Sequence, residues 1–558
     1  MDLTFNQNTK NESRKEMIIM TNFYDAIKQT QRNVSVTENG NVGYKTTYHP
    51  LLDFNFKVSS YRHETDEAVK RDIKEIIKSN DAQYLLKYLF MLRDVRGGLG
   101  ERRLFRLGLK ELMATNFANK SEIISDLIKT QIANYGRFDD LFLFMGTDYQ
   151  DVLISTVHSQ LKSDYENMVN NKPVSLLAKW MPSENTSSAQ TKKLAKAFIK
   201  AFGSTSKEYR KLLSALRSYL KVTEVYTSAN EWGEINYNQV PSKANLKYKD
   251  AFLKHDEERR RDYLAALRVG VDKDGKEVKI NSSVNYPHEV VAKYSQANGW
   301  WSPRVGAYDE TLEQLWKNLK DKKGLSNTIV VRDGSGSMTS SIGNSHTITA
   351  LHVSTALAIY CAERLKGEFK NKFLTFSRRC QVVDLSDETS LHAKLDVCEK
   401  YDDCSNTNIA NVFDTILNTA IDHHMTADEM PKQILIISDM EFDGYGGFNA
   451  GANVFKIAAQ NFKNAGYELP KLVFWNVNSR TNTIPLKENE NGVILVSGFS
   501  ANVLDMVMTG KTSPWDALVE RIMKDDYKVI PLLENVAYNQ STQTKTVAKK
   551  VTEKPSWL

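Results

Sequence analysis

The segment Asp333-Gly334-Ser335-Gly336-Ser337-Met338 places one carboxylate and two hydroxyls at alternating positions, directly after the apolar run Thr328–Arg332. Hard oxygen donors on a loop at the carboxyl end of a strand stand where open α/β sheets bind ligands. The glycines at 334 and 336 let such a loop turn tightly. Mg²⁺ takes about six oxygens and often keeps several as water. Three side chains therefore begin the shell of a hard divalent cation, Mg²⁺ or Mn²⁺, without completing it. A shell rich in neutral hydroxyls leaves the cation much of its charge, and an open position attracts a carboxylate or phosphate from a partner. The sequence offers no evident general base, no paired-metal cluster and no G-x-S-x-G elbow, so binding rather than catalysis is expected. The four cysteines, Cys361, Cys380, Cys398 and Cys404, contain no C-x-x-C pair and read as free thiols of a reducing cytoplasm.

The loop resembles the metal-ion-dependent adhesion site of von Willebrand factor A domains, D-x-S-x-S. Such sites take a Thr from a second loop just before a helix, and here Thr407 precedes a helical run from Ile409. They take an Asp from the end of the fourth strand, and here Asp439 follows the run Gln433–Ile437. The resemblance implies direct metal contacts from Ser335, Ser337 and Thr407, with Asp333 and Asp439 acting mainly through water. The plainer alternative is a Gly-Ser turn, a Thr helix cap and an exposed Asp. The nearby Glu441, Asp443 and Asp403 carry no assigned role and are expected to be solvated or to cap helices.

A second chemistry is basic. Residues 191–221 hold nine Lys and Arg against Glu208 alone, a net +8. Lys192, Lys196 and Lys200 share a helix face at spacing four, followed by Lys207, Arg210 and Lys211. Phe198, Phe202, Tyr209 and Tyr219 interleave with them. A basic stripe with aromatics tracks phosphates and stacks bases, while a solvated helix face over a core of aromatics reads the same way in sequence. Between Arg93 and Arg106, Arg96, Arg102 and Arg103 flank Gly97, Gly98 and Gly100 ahead of a helix start. Arginine forks beside a helix N-terminus suit phosphate; an inter-helix turn with Arg–Asp and Arg–Glu pairs is the alternative.

The elements that must position these residues fall into two grammars. The chain has 558 residues, 41% hydrophobic and 25% charged, with no run of 18 apolar residues and a polar start unlike a secretion signal. Residues 1–325 carry 51 Lys+Arg and 41 Asp+Glu, and residues 326–558 carry 23 and 27. From about residue 64 to 270 apolar residues recur at helical spacing, as in Ile73, Ile76, Ile77, Leu85, Leu86 and Leu89. From 326 onward short β-rich runs alternate with helices, the pattern of a mostly parallel sheet covered on both faces. The strands expected are Thr328–Arg332, Lys372–Phe376, Gln381–Leu385, Gln433–Ile437, Lys471–Val477 and Val493–Val496. The domain reading is an irregular segment over 1–60, a helical module over 61–325, an α/β domain over 326–535 and a flexible tail over 536–558.

Arg93–Arg106, Tyr135–Leu141, Leu177–Pro182, Tyr226–Asn230 and Phe474–Val477 resemble landmarks of an uncharacterised family of plants, bacteria and phages. That family is itself similar to the Ro ribonucleoprotein autoantigen. Ro proteins join a ring of helical HEAT-like repeats, the TROVE module, to a von Willebrand factor A domain, and the ring binds noncoding RNA. The resemblance implies an α plus α/β architecture: an all-helical TROVE-like module followed by a doubly wound von Willebrand factor A-type domain. It implies a cytoplasmic, non-enzymatic RNA-binding scaffold that holds Mg²⁺ (or Mn²⁺) and a protein partner offering an acidic residue, away from membranes. The alternative is a protein-interaction adaptor or an assembly component, phage- or virion-associated, that binds no nucleic acid.

Overall fold

The structure is a computed structural model and describes residues 23–296, 304–322, 325–345, 347–444 and 452–538. The chain forms two compact units: residues up to His63 with Asn285–Leu518, and Glu64–Val284 with the residues from Val519 onward. The described part of the stretch expected to be irregular is largely ordered by secondary structure. It contains helix α1 (Phe23–Arg32), an antiparallel hairpin of β1 (Val34–Val36) and β2 (Val42–Tyr44), and helix α2 (Pro50–Phe56). The strands are too short to carry a periodic signal, so they read as mixed polar sequence.

The helical unit is built from amphipathic helices with local stop signals. Helix α3 (Asp66–Lys78) starts where Thr65 accepts a hydrogen bond from the Ala68 N–H, and it buries Val69, Ile73, Ile76 and Ile77 on one stripe. Full burial of each such side chain is worth about 1.5–3 kcal/mol. Helices α4 (Leu85–Arg93), α5 (Arg102–Met113) and α6 (Gln150–Val169) follow. The single basic stretch read across 191–221 is two helices, α7 (Ala189–Ala201) and α8 (Ser206–Tyr219). Gly203, at φ 61°, turns the chain between them, and Thr205 with Glu208 closes a capping box on α8. Helix α9 (Glu257–Val269) stops at Gly270, φ 88°. The chain returns to this unit near its end, where Lys87 Nζ donates to the Tyr527 carbonyl (2.7 Å) and Ala537–Tyr538 pairs antiparallel with Thr115–Asn116. The part of the expected tail from residue 539 lies outside the described residues.

In the α/β unit, helices α10 (Pro287–Tyr294) and α11 (Glu310–Lys317) precede the sheet. Its strands are β3 (Thr328–Asp333), β4 (Lys372–Phe376), β5 (Cys380–Asp384), β6 (Gln433–Ser438), β7 (Lys471–Asn476) and β8 (Val493–Ser497). All six expected strands are present, with ends shifted by one residue at most. Their order is β8-β7-β6-β3-β4-β5, all parallel except β5, which runs antiparallel to β4 at the edge. Only three residues separate β4 from β5, too few for a crossover, so the pair closes as a hairpin. Helices α12 (Ala350–Ala362), α13 (Leu391–Glu399), α14 (Ala410–Asp422) and α15 (Val454–Asn464) connect the strands. Every residue of α12 is buried, so it shows no polar stripe. The strand order reverses between β3 and β6, and the crevice outside their carboxyl ends is where such sheets bind ligands. The N-terminal segment docks at that end: Tyr44 N–H donates to the Ile484 carbonyl (2.9 Å), and Asn476 Nδ2 donates to the Phe56 carbonyl (2.8 Å).

Candidate metal centre and basic faces

Strands β3 and β6 end in Asp333 and Ser438-Asp439, and both carboxylates are fully buried. Asp333 Oδ1 accepts the Ser335 N–H (2.9 Å) and its Oδ2 accepts the Ser438 hydroxyl (2.5 Å). Ser335 Oγ lies 3.1 Å from Ser337 Oγ. Ser335 is fully buried, not the surface hydroxyl its loop suggests. The second loop closes against the first: Gly336 N–H donates to the Ser405 carbonyl (3.0 Å). A Cβ at Gly336 would stand 2.8 Å from the Cys404 carbonyl oxygen, so only glycine allows this approach. Asp443 N–H donates to the Thr407 carbonyl (3.0 Å), and Thr407 itself is buried. The fold thus gathers Asp333, Ser335, Ser337, Thr407 and Asp439 at the switch point of the sheet.

Two non-glycine residues in these loops, Cys404 (φ 48°) and Met440 (φ 66°), sit in the left-handed region. That conformation costs about 1–3 kcal/mol each and persists only where surroundings over-determine it. One such restraint is Arg332, fully buried next to Asp333, which pairs with Asp402 of the Thr407 loop (2.6 Å) and donates to Thr355 Oγ1 (2.9 Å). Sequence reasoning passed over both residues, because a charge inside an apolar strand gives no hint of its partner seventy residues on.

Burial, and then the neighbouring Asp439, push the Asp333 carboxyl well above the usual carboxylate range. Burial likewise raises Asp439. Its counter-ion is Arg480, whose Nη1 donates to Asp439 Oδ2 (3.1 Å). The Arg480 guanidinium thus bonds to Asp439 and to Glu38 and lies near Glu441, while the buried Arg332 stands beside Asp333. Among the described residues no group of three His, Cys, Asp or Glu side chains could hold a metal. A cation here would therefore depend on the hydroxyls, and the donor chemistry fits a hard divalent ion: oxygen only, with the buried carboxylates Asp333 and Asp439 beside the hydroxyls.

Glu441 differs from its expected solvated role. It is fully buried, and its carboxylate accepts Glu38 N–H (3.0 Å), Arg480 N–H (2.8 Å), Thr481 N–H (2.9 Å), Ser479 Oγ (3.1 Å) and Thr481 Oγ1 (3.0 Å). It therefore fixes both the 479–481 loop and the tip of the β1–β2 hairpin beside the donor set. That tip also supplies Asn39, whose Nδ2 donates to Thr407 Oγ1 (3.2 Å) and the Glu441 carbonyl (2.7 Å). A segment of the same chain thus lies over Thr407.

A Ser–His pair also appears: Ser295 Oγ lies 2.6 Å from His352 Nε2. His352 Nδ1 accepts the Thr349 N–H (3.0 Å), so the ring proton sits on Nε2 and points at the serine. An imidazole donating to Ser295 cannot take its proton, and the other ring nitrogen closes the capping box of α12 with Thr349. The four cysteines are free thiols.

In the helical unit the arginine loop is tied to acids. Asp140 is fully buried and accepts Arg93 Nε and Arg106 Nε, both at 2.8 Å. Arg102 pairs with Asp139 (3.2 Å), Arg103 with Asp66 (2.7 Å), and Arg96 Nη1 donates to the Asn134 carbonyl (3.0 Å). The landmark Tyr135–Leu141 thus supplies carboxylates to the landmark Arg93–Arg106. Leu177–Pro182 supplies carbonyls: Arg217 donates to Ala178 and Met181, and Tyr209 to Pro182. On α7 and α8 the picture reverses. Lys192, Lys196, Lys200, Lys207, Arg210 and Lys211 are all exposed, with no ion pair among the described residues. Phe198 and Tyr209 are buried, and Phe198 packs edge-on to Phe142 (5.2 Å), so these two interleaved aromatics build core, while Phe202 and Tyr219 are half-buried. Beside α7, Arg102, Arg106, Lys110, Trp180, Phe142 and Thr191 line a cleft of about 530 Å³.

Two domain models of unknown function match: DUF2828 over residues 149–328 and DUF7788 over residues 327–552. A curated relative, uncharacterized protein L728 of Acanthamoeba polyphaga mimivirus, is 27% identical over 514 residues, covering 86% of this chain and 85% of that protein. Among solved structures, the Ro (RSR) protein of Deinococcus radiodurans matches at 13% identity, covering 82% of this chain and 92% of that one, with a TM-score of 0.38. Among the described residues no helix is long and apolar enough to cross a membrane. The chain is similar, over most of its length, to an uncharacterised viral protein, and residues 149–552 match two domains of unknown function in succession.

Proposed function

We propose that this protein is a non-enzymatic RNA-binding scaffold whose α/β unit adds a cation-dependent site for an acidic protein ligand. The observation that carries the RNA reading is the α7–α8 face: six exposed cations without acidic partners, on a surface with no competing role in the core. Unpaired Lys and Arg neutralise phosphates and release counterions, the dominant source of sequence-independent nucleic-acid affinity. The neighbouring cleft, lined by Arg102, Arg106, Lys110 and Trp180 together with Asp139, offers room for a nucleotide of the same strand. The α/β unit is read as a von Willebrand factor A-type domain holding Mg²⁺ or Mn²⁺ at Ser335, Ser337 and Thr407, with Asp333 and Asp439 behind. When bound, the cation would supply an open, strongly charged position for a carboxylate. Asp333 and Asp439 would orient the hydroxyls and balance the charge. The reading of a scaffold rather than an enzyme is supported by His352, whose ring caps α12 through Nδ1 and donates to Ser295 rather than accepting its proton. Fluorescence anisotropy of the full chain with a labelled, unstructured oligoribonucleotide tests the RNA half. No binding at low salt would leave the competing reading, a protein-interaction adaptor that binds no nucleic acid.

A further inference from the structure

The mouth of the donor cluster already holds a carboxylate from the same chain. Glu38, at the tip of the β1–β2 hairpin, accepts Arg480 Nε (2.8 Å) and Nη2 (2.6 Å) in a two-pronged pair, while Nη1 of the same guanidinium donates to Asp439. Arg480 is thereby strung between an outer acid and a buried one. The outer pair is open to solvent, with side-chain exposures of 45% for Glu38 and 34% for Arg480, against 0% for Asp439. The hairpin beneath is anchored independently of the Glu38 side chain. Thr37 Oγ1 donates to the Phe442 carbonyl (2.7 Å), Gly444 N–H donates to the Asn39 carbonyl (3.0 Å), and Glu441 accepts the Glu38 backbone N–H.

We propose that Glu38 is a built-in stand-in for an acidic peptide segment of a partner protein, which binds at this mouth by taking Arg480 from Glu38. The geometry already shows what the outer prongs of Arg480 accept: a carboxylate, approached edge-on and bidentate, the arrangement to which the guanidinium fork is matched. Exchange of one carboxylate for another leaves the Arg480–Asp439 contact intact, so the incoming acid replaces a solvent-exposed pair without uncovering a buried charge. An exposed pair of this kind favours its closed form by no more than about fivefold. The clasp therefore attenuates binding rather than blocking it, and it filters out ligands that carry no acid. A peptide that displaces Glu38 also sits next to Asn39, whose amide covers Thr407 Oγ1. This inference rests on the reading of the α/β unit as an acid-binding site, and adds to it which residue competes and which one receives.

The test uses the full chain, its Glu38→Gln variant and its Arg480→Gln variant, with a fluorescein-labelled oligo-aspartate peptide followed by anisotropy, with and without Mg²⁺. Loss of the competing carboxylate is expected to tighten peptide binding by about fivefold, and loss of Arg480 to weaken it. Equal or weaker binding by Glu38→Gln overturns the proposal. So does a gain confined to a labelled oligoribonucleotide, which would make the ligand a nucleic acid. Mn²⁺ binding, read by electron paramagnetic resonance on the parent chain, separates the two readings. A parent that binds no Mn²⁺ removes the cation but leaves the peptide response to report on Arg480. A parent that binds Mn²⁺ while Glu38→Gln leaves peptide affinity unchanged removes the clasp alone. Glu38→Asp, which keeps the acid on a shorter arm, is expected to fall between parent and Glu38→Gln, an order that a merely structural role for the hairpin would not produce.

Discussion

Replacing Lys192, Lys196 and Lys200 by Gln removes three charges that the structure leaves unpaired on the exposed face of α7. Gln has nearly the helix propensity of Lys, and the buried side of α7 (Ala195, Phe198, Ile199) is untouched, so the fold is expected to hold within about 0.5 kcal/mol. The effect on RNA follows from counterion release. Each phosphate contact to a single strand contributes about 0.7 to the slope of log affinity against log salt. Three lost contacts lower the slope by about 2. Over a fourfold rise, from about 50 to about 200 mM salt, the parent then loses about twentyfold more affinity than the variant. Anisotropy titrations of one labelled oligoribonucleotide across that range measure both slopes. Parallel lines would refute the argument, because they would mean that α7 touches no phosphate whatever the rest of the surface does.

Ser335→Ala with Ser337→Ala is expected to abolish Mn²⁺ binding, read by calorimetry, because among the described residues no cluster of acidic, His or Cys side chains can replace the hydroxyls; an unchanged affinity would remove the metal assignment. Asp140→Asn leaves Arg93 and Arg106 beside an uncharged partner in a buried network and is expected to cost about 3–5 kcal/mol in urea unfolding of the helical unit, with a loss under about 1 kcal/mol arguing that the network is solvated. Burial holds His352 down to about 4, below its ordinary 6.5. Its neutral form is the folded one, so this contribution is present above pH 6.5 and is lost as pH falls toward 4, up to about 3 kcal/mol. His352→Gln should flatten that part of the acid limb of a stability–pH curve, and an identical curve in the variant would show that the ring is solvated.

The sequence alone determined the two grammars and the six strands, and it singled out the five oxygen-bearing residues proposed to hold a cation. Each depends on local information: period-two and period-3.6 apolar patterns, a Gly-Ser loop after a strand, a Thr before a helix, an Asp after a strand. The positive face of α7 was legible for the same reason, since charge at spacing four needs no partner to be seen. What tertiary structure alone decided is which charges find partners. The arginines of the 93–106 loop and the lysines of 192–211 look alike in sequence; only folding sets Asp139 and Asp140 against the first and leaves the second open. Glu441 looked like a surface acid until the 479–481 loop and the hairpin turned five donors toward it. The clasp of Glu38 on Arg480 joins positions 442 residues apart. Such pairs leave no periodic trace, because a hydrogen bond or ion pair is set by proximity in space, and proximity across that much chain is a product of how the whole unit packs.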